Sequence, residues 1–277
     1  MIDWGKYWVR DAALVNRIFA NEELDFEESH STKTGEIKEY PKYAKWKWWE
    51  FEMKSPTWLE ITGSLHKNWN KGTNGNDFKL PDLFAAISDF CKFLQVSPYD
   101  LTVHNLEFGV NIRPTTNASE IMREIICYKN KAPIKAIDNE KGYFIEFEME
   151  DYYFKIYDKG MQSRKVWETE QGNILRVEIK AANSGFLKFA NIVSMADLLN
   201  PGNLRLLGWK LDNLFKGVVF DDRSIDRDNL SKPDNKVYQL LVNPRVWADN
   251  WKNKSTTIRA REKRFRAIVA KYGIKNG

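Results

Sequence analysis

Three stretches of the sequence put polar side chains at every second position, and the residue types are those that hold hard cations. In WLEITGSLH, Leu59, Ile61, Gly63 and Leu65 alternate with Glu60, Thr62, Ser64 and His66. In NLEFGVNI, Leu106, Phe108, Val110 and Ile112 alternate with Asn105, Glu107, Gly109 and Asn111. In LRVEIK, Leu175, Val177 and Ile179 alternate with Arg176, Glu178 and Lys180. A side-chain period of two belongs to a β-strand with one apolar and one polar face. Set beside each other in one sheet, these faces gather carboxylates with a histidine in reach. That donor set suits Mg²⁺ or Mn²⁺, and such an ion polarises a phosphodiester. The same alternation also describes the solvent face of any sheet covered on one side only.

The elements that must position these residues centre on Gly142–Lys180. This stretch holds two short hydrophobic runs, a Tyr-Asp-Lys-Gly corner, a polar excursion and the Arg176/Glu178/Lys180 run. Upstream, residues 1–40 read as an opening segment with a helical patch near Asp11 to Phe19 and an acidic, polar loop. Runs 44–53 and 57–66 read as strands joined by a Lys54-Ser55-Pro56 turn. A loop rich in glycine and asparagine, NWNKGTNGND, follows. Pro81 opens a helix, PDLFAAISDFCKFLQ, where its missing N–H costs nothing. Residues 101–112 form the next strand. Asn117 and Glu120 make a capping box for a helix through Ile121, Ile125 and Ile126 to Tyr128. Further helices are predicted near Ser194 to Leu199 and Leu204 to Phe215, and a basic one in STTIRAREKRFRAIVAKYG. The predicted class is α+β, a mostly antiparallel sheet with helices packed on one face. The predicted domain boundary separates 1–245 from a basic C-terminal helix and tail, 246–277.

Composition narrows the function classes. The formal charge of +5 is mild and compatible with a polyanionic partner. Eleven tryptophans and 11 tyrosines supply core and interface area, and aromatic rings also stack on unpaired bases. Two cysteines, Cys91 and Cys127, are too few for a disulfide framework or a zinc cluster, and a reducing cytoplasm fits. No stretch approaches the ~20 apolar residues of a membrane span, and no signal-peptide core is visible at the N-terminus. The expectation is a cytoplasmic protein without a membrane partner.

The run YYFKIYDKG followed by LRVEIK resembles the Y-x-K and R-x-E signatures of rolling-circle replication initiators, both the filamentous-phage gene II type and the staphylococcal-type plasmid initiators. ITGSLHKNWNKGTNGNDF is similar to the phage family's Gly-Ser-Pro-x-Lys-Phe stretch and the loop after it. LEFGVNI resembles the strand that carries an acidic residue in those families. These motifs keep the family order over roughly residues 57–200. The His-hydrophobic-His pair of many such nucleases is absent, and asparagine stands where arginine precedes the acid in the families.

The resemblance implies a fold related to the HUH-type replication nucleases. It also implies an enzyme, a metal-dependent DNA endonuclease and strand transferase, working in a bacterial host cytoplasm. A tyrosine would attack a phosphodiester at an origin with Mg²⁺ or Mn²⁺ bound by Glu107 and Glu178, with His66 and Asp158 as further ligands. Tyr143 stands ahead of the Tyr-Asp-Lys corner, where the families keep the attacking tyrosine. Tyr153 shares the polar side of its strand with Lys155, and Tyr152 and Tyr128 are rivals. Lys155 and Lys159 would contact phosphate or the developing negative charge. Lys67, Arg176, Lys180, Arg259, Arg261, Lys263 and Arg264 would bind DNA, the last four through backbone charge. The implied partners are single-stranded or origin DNA and a host replication helicase or polymerase. Two alternatives stand beside this reading: a mobilisation relaxase with the same chemistry, and a non-catalytic single-strand or origin DNA-binding protein.

Overall fold

The computed structural model describes residues 2–30, 33–129, 131–138, 142–162, 172–249 and 256–273. Among the described residues the strands are β1 (Ile2–Val9), β2 (Glu27–His30), β3 (Ile37–Trp46), β4 (Trp49–Ser55), β5 (Trp58–Ser64), β6 (Thr102–Ile112), β7 (Ile125–Tyr128), β8 (Ile134–Asp138), β9 (Gly142–Glu148), β10 (Tyr152–Asp158), β11 (Leu175–Ala181) and β12 (Val218–Phe220). The helices are α1 (Ala12–Phe19), α2 (Leu65–Trp69), α3 (Leu80–Leu94), α4 (Ala118–Arg123), α5 (Pro201–Lys216), α6 (Lys232–Leu241), α7 (Pro244–Asp249) and α8 (Thr256–Tyr272). The class is α+β with a large antiparallel sheet, as the alternation predicts.

The chain folds as two compact units, and both are discontinuous in sequence. The first comprises 1–111, 148–154 and 177–211; the second comprises 112–147, 155–176 and 212–277. This division differs from the predicted boundary at 245/246.

In the first unit the strand order is β2-β3-β4-β5-β1-β6-β11-β10. The pairs from β2 to β6 along this order are antiparallel. β1 therefore lies between β5 and β6, at the centre of the order, where the sequence shows only an opening segment. One face of the sheet is core. Tyr7, Trp49, Phe51 and Ile61 are buried there, and α3 lays Phe90 against Trp49 (centroids 3.9 Å apart) and Phe93 against Trp46 (3.7 Å). The face of α3 that meets the sheet is Leu83, Ala86, Ile87, Phe90, Cys91 and Leu94, the i, i+3, i+4 stripe expected of a helix packed on one side.

Three predicted elements shift. The run 44–53 is broken by a turn at Lys47-Trp48 into β3 and β4, with Trp46 paired across to Trp49. The strand 57–66 stops at Ser64, whose side chain accepts a hydrogen bond from the Lys67 N–H and caps α2. His66 thus sits in a helical first turn, outside the alternating face of β5. The helix begun at Asn117 ends at Arg123, and Ile125–Tyr128 forms a strand paired with β12.

In the second unit, β8 and β9 form an antiparallel hairpin beside the later part of β10. A separate core joins Ile126 and Cys127 of β7 and Val219 of β12 to Tyr238, Leu241, Trp247, Phe265 and Ile268. Burying Phe265 and Ile268 stabilises this core by about 1.5–3 kcal/mol each. Helix α8 is accordingly part of the second unit's core, and only its outward side is basic.

Candidate active site

The polar face of the first unit's sheet is built strand by strand. On β1, Trp4, Lys6 and Trp8 point to this side, opposite Ser64, Thr62 and Glu60 of β5. Glu60 is buried, yet its carboxylate accepts from Lys6 Nζ at 2.7 Å and Trp8 Nε1 at 3.0 Å, with Lys54 Nζ 3.8 Å away. Burial pushes its pKa up, but those hydrogen bonds and the two lysine charges outweigh burial and hold it below the usual range.

Next to β1, β6 is fastened to β11 by Asn105, whose Nδ2 donates to the carbonyls of Ala181 (3.0 Å) and Ala182 (2.7 Å). Two residues on, Glu107 Oε1 meets Lys180 Nζ at 3.3 Å, and that ammonium stands 4.8 Å from the centre of the Trp4 ring. Two residues further, a Cβ on Gly109 would lie 2.5 Å from the Val177 carbonyl oxygen and 2.7 Å from Glu178 Cβ. Only glycine tolerates that approach. Glu178 therefore stands beside Gly109, and Glu107 and Glu178 share one face of adjacent strands with Lys180 on the same side. Glu178 is 6% exposed and Arg176 wholly buried. The charged side of β11 is thus covered too, where the alternation alone predicts an open face.

Replacing Gly109 by alanine is expected to destabilise the fold by about 1–3 kcal/mol, the range for forcing extra volume into a packed site. The obstacle is backbone, which cannot rotate away. A urea midpoint equal to wild type would refute the close approach of β6 and β11.

One acid in this region is invisible to the alternation argument. Asp3 of β1 is buried and accepts from Ser64 Oγ at 2.7 Å and from Asn74 Nδ2. Asn74 belongs to the Gly/Asn-rich loop, which is tied down again where Asn111 Nδ2 donates to the Gly75 carbonyl (3.3 Å). Asn76 Oδ1 accepts from Asn70 Nδ2 at 3.1 Å and lies 2.9 Å from His66 Nε2. His66 is fully buried and stacked on Phe78 at 4.6 Å. That contact and the stack hold the imidazole between Asn76 and Phe78. His66 fastens the loop. The signal for Asp3 was present in the sequence only as one polar residue in a run whose apolar residues fall on both faces.

Further along the face, His104 stacks on Trp8 (3.8 Å, 16° between planes), and the Arg10 guanidinium lies 4.7 Å from Trp8 and 4.1 Å from Trp58. Burial, and then the charges of Lys6 and Arg10, push the His104 pKa below its ordinary value, with Glu60 opposing. The folded state therefore favours the neutral ring. Its stability contribution is complete above the unfolded value of about 6.5 and is lost as pH falls through the lower folded value. The urea midpoint should drop between pH 7.5 and 5.5, and His104→Phe, which keeps the stack, should flatten that slope. An unchanged slope would exclude His104 as its source.

The donors on this face decide what cation they suit. Among the described residues, no three His, Cys, Asp or Glu side chains come together in a preformed metal-holding group. Glu107 and Glu178 supply two carboxylates, a number with which Mg²⁺ is commonly held when water and substrate phosphate complete its shell. The set fits an ion shared with a phosphate and does not fit a closed protein cage.

The remaining predicted residues belong to both units. In the second unit, Asp158 is buried and already accepts from Ser119 Oγ and the Met161 N–H, both at 2.8 Å. It holds the Tyr-Asp-Lys-Gly corner, where a Cβ on Gly160 would collide with the Gly172 carbonyl. Lys159 is buried with Nζ donating to Gln162 at 2.9 Å, and Lys155 is 3.6 Å from Glu146. Arg176, wholly buried, presents nothing to a DNA backbone. The Tyr143 side chain lies outside the described residues. Tyr128 and Tyr152 are buried, and Tyr153 is half-buried. Lys67 and Lys180 are half-buried in the first unit. On α8, Arg259, Arg261 and Lys263 are exposed, and Arg264 pairs with Asp234 at 3.0 Å.

Among the described residues no helix is long and apolar enough to cross a membrane. In sequence the chain matches no protein-family model and no curated protein. In structure it is similar to a rolling circle replication initiator protein from Geobacillus stearothermophilus, with a TM-score of 0.44 and 11% identity over 91% of this chain and 95% of that one.

Proposed function

We propose that this chain initiates rolling-circle replication by nicking and rejoining one DNA strand at an origin. The observation that carries the reading is the pair Glu107 and Glu178 on one face of adjacent strands, with Lys180 against Glu107 and Trp4 beside it. The ordered series of motifs that resembles the replication initiators supports it from the sequence side.

In the proposed reaction a tyrosine oxygen forms a bond to phosphorus, the P–O3′ bond breaks, and the phenolic proton leaves to a base or water. The products are a 5′-phosphotyrosyl link and a free 3′-hydroxyl, which takes up a proton and can prime a polymerase. A bound Mg²⁺ or Mn²⁺ would supply charge stabilisation at the transferred phosphoryl group. Glu107 and Glu178 would hold the ion, and Lys180 would set the spacing of Glu107 and face the phosphate. The half-buried tryptophans of this face, Trp4, Trp8 and Trp58, with Lys6, Arg10 and Lys54 between them, suit an unpaired strand.

The test is incubation with labelled single-stranded origin DNA and Mn²⁺, followed by denaturing electrophoresis. A protein–DNA adduct that survives denaturation is the expected result. Absence of any adduct with every divalent ion, while binding persists, favours the non-catalytic DNA-binding reading. A mobilisation relaxase would give the same adduct and differs in task alone.

A further inference from the structure

Away from the carboxylates, the tip of the β3–β4 hairpin, the end of α2 and the loop after it enclose a cavity of about 510 Å³ in the first unit. Its walls include Trp46, Trp48, Trp69, Asn68, Lys47 and Lys71. Three tryptophans around one cavity are not explained by the core. Trp46 is fixed, stacked on Phe93 and bonded through Nε1 to Glu23 at 3.3 Å. Trp48 and Trp69, by contrast, are 46% and 36% exposed. Leaving large rings in water forgoes their burial energy, and such rings otherwise mark binding surfaces.

The polar groups have a matching character. Asn68 Oδ1 is buried and has no hydrogen-bond partner among the described residues, so a donor brought by a ligand would satisfy it. Lys47 and Lys71 stand at the cavity, both exposed, and Lys67 Nζ lies 5.8 Å from the Trp48 ring centre. The one acid in the wall is Asp89. Lys47 and Lys71 both hold the left-handed backbone conformation, at φ 52° each. Gly72, at φ +105°, lets Trp48 pack where a Cβ would come within 2.6 Å of the ring. Non-glycine residues in that region carry strain that the surroundings must offset. Flat aromatic walls, cations at the cavity and an unfilled acceptor match an unstacked nucleobase and its flanking phosphates.

We infer that this cavity binds one or two bases of single-stranded DNA, stacked on Trp48 and Trp69, with phosphates on Lys47 and Lys71. The inference rests on the proposed action on unpaired DNA, but it concerns a site that takes no part in the chemistry.

The experiment measures anisotropy of labelled dT12 against salt, with adduct formation on origin DNA run in parallel at saturating protein. Trp48→Ala with Trp69→Ala should weaken dT12 binding about 10-fold or more, because both stacking platforms are removed. Lys47→Gln with Lys71→Gln, conservative at the surface, should lower the slope of log K against log salt by about 1.4, two phosphate contacts on a single strand. Adduct yield at saturation should stay at the wild-type level. Equal dT12 affinity and salt slope in all variants, with adducts still formed, overturns the cavity and leaves the nicking reading standing. Weakened binding in the variants with no adduct in any protein supports the cavity and removes the nicking reading. Failure of the wild type to bind dT12 overturns the cavity.

Discussion

Glu178→Gln is expected to lower adduct formation at least about 100-fold while leaving affinity for single-stranded DNA within a factor of two or three. The reasoning is differential binding. A carboxylate that holds an ion at the transferred phosphate contributes mainly in the transition state, where charge develops. In this proposal affinity for the strand would come from lysines, arginines and stacked rings that the substitution does not touch. Glutamine keeps the shape of the side chain beside Gly109, so the close approach of β6 and β11 is preserved. Adduct yield on a gel and anisotropy on the same oligonucleotide read the two quantities separately. Loss of both in parallel would make Glu178 a structural residue of β11, and full activity would remove it from the site.

The second large effect concerns the nucleophile. Tyr143→Phe is expected to abolish adducts and Tyr153→Phe to leave them, because Tyr143 holds the position in the motif series at which the resembled initiators keep their attacking tyrosine. Phenylalanine keeps the ring and tests the hydroxyl alone. The competing candidate has merits of its own. Tyr153 is half-buried in the first unit, the unit of Glu107 and Glu178, whereas Tyr128 and Tyr152 are buried. Adducts from the Tyr143 variant and none from the Tyr153 variant would move the assignment to β10. Adducts from both would leave the attack to another group.

Where each face of a strand carries one kind of residue, the architecture could be read from sequence. β5 and β11 alternate cleanly in sequence, and α3 repeats its apolar residues at helical spacing. β1 defeats this logic because both of its faces are apolar: Tyr7 and Val9 face the core, while Trp4 and Trp8 face the polar side. Asp3 was lost with it. At Ser64 the alternation continues on paper, but the hydroxyl caps a helix, and His66 leaves the strand face. Ile125–Tyr128 continues the helical spacing of Ile121 and yet pairs with β12, because Ile126 and Cys127 are needed in the core that Trp247 and Phe265 complete. Local pattern cannot register a partner a hundred residues away. Parity gave the face of Glu107 and of Glu178 within each strand, but not that β6 and β11 are neighbours. That Arg176 and Lys159 would be buried was not legible, since burial depends on what covers the strand.

The discontinuity of the two units bears on how the protein can be taken apart. Each is assembled from three separate stretches, so a stop codon or a protease cut cannot release either as an intact piece. Ending the chain after residue 245 would remove Trp247, Phe265 and Ile268 and expose the apolar surfaces of Tyr238 and Leu241 that they cover. The truncated product would aggregate through that surface, and its failure to bind an oligonucleotide would say nothing about the cations of α8. Their role is accessible only by charge reversal at Arg259, Arg261 and Lys263, which leaves the helix seated.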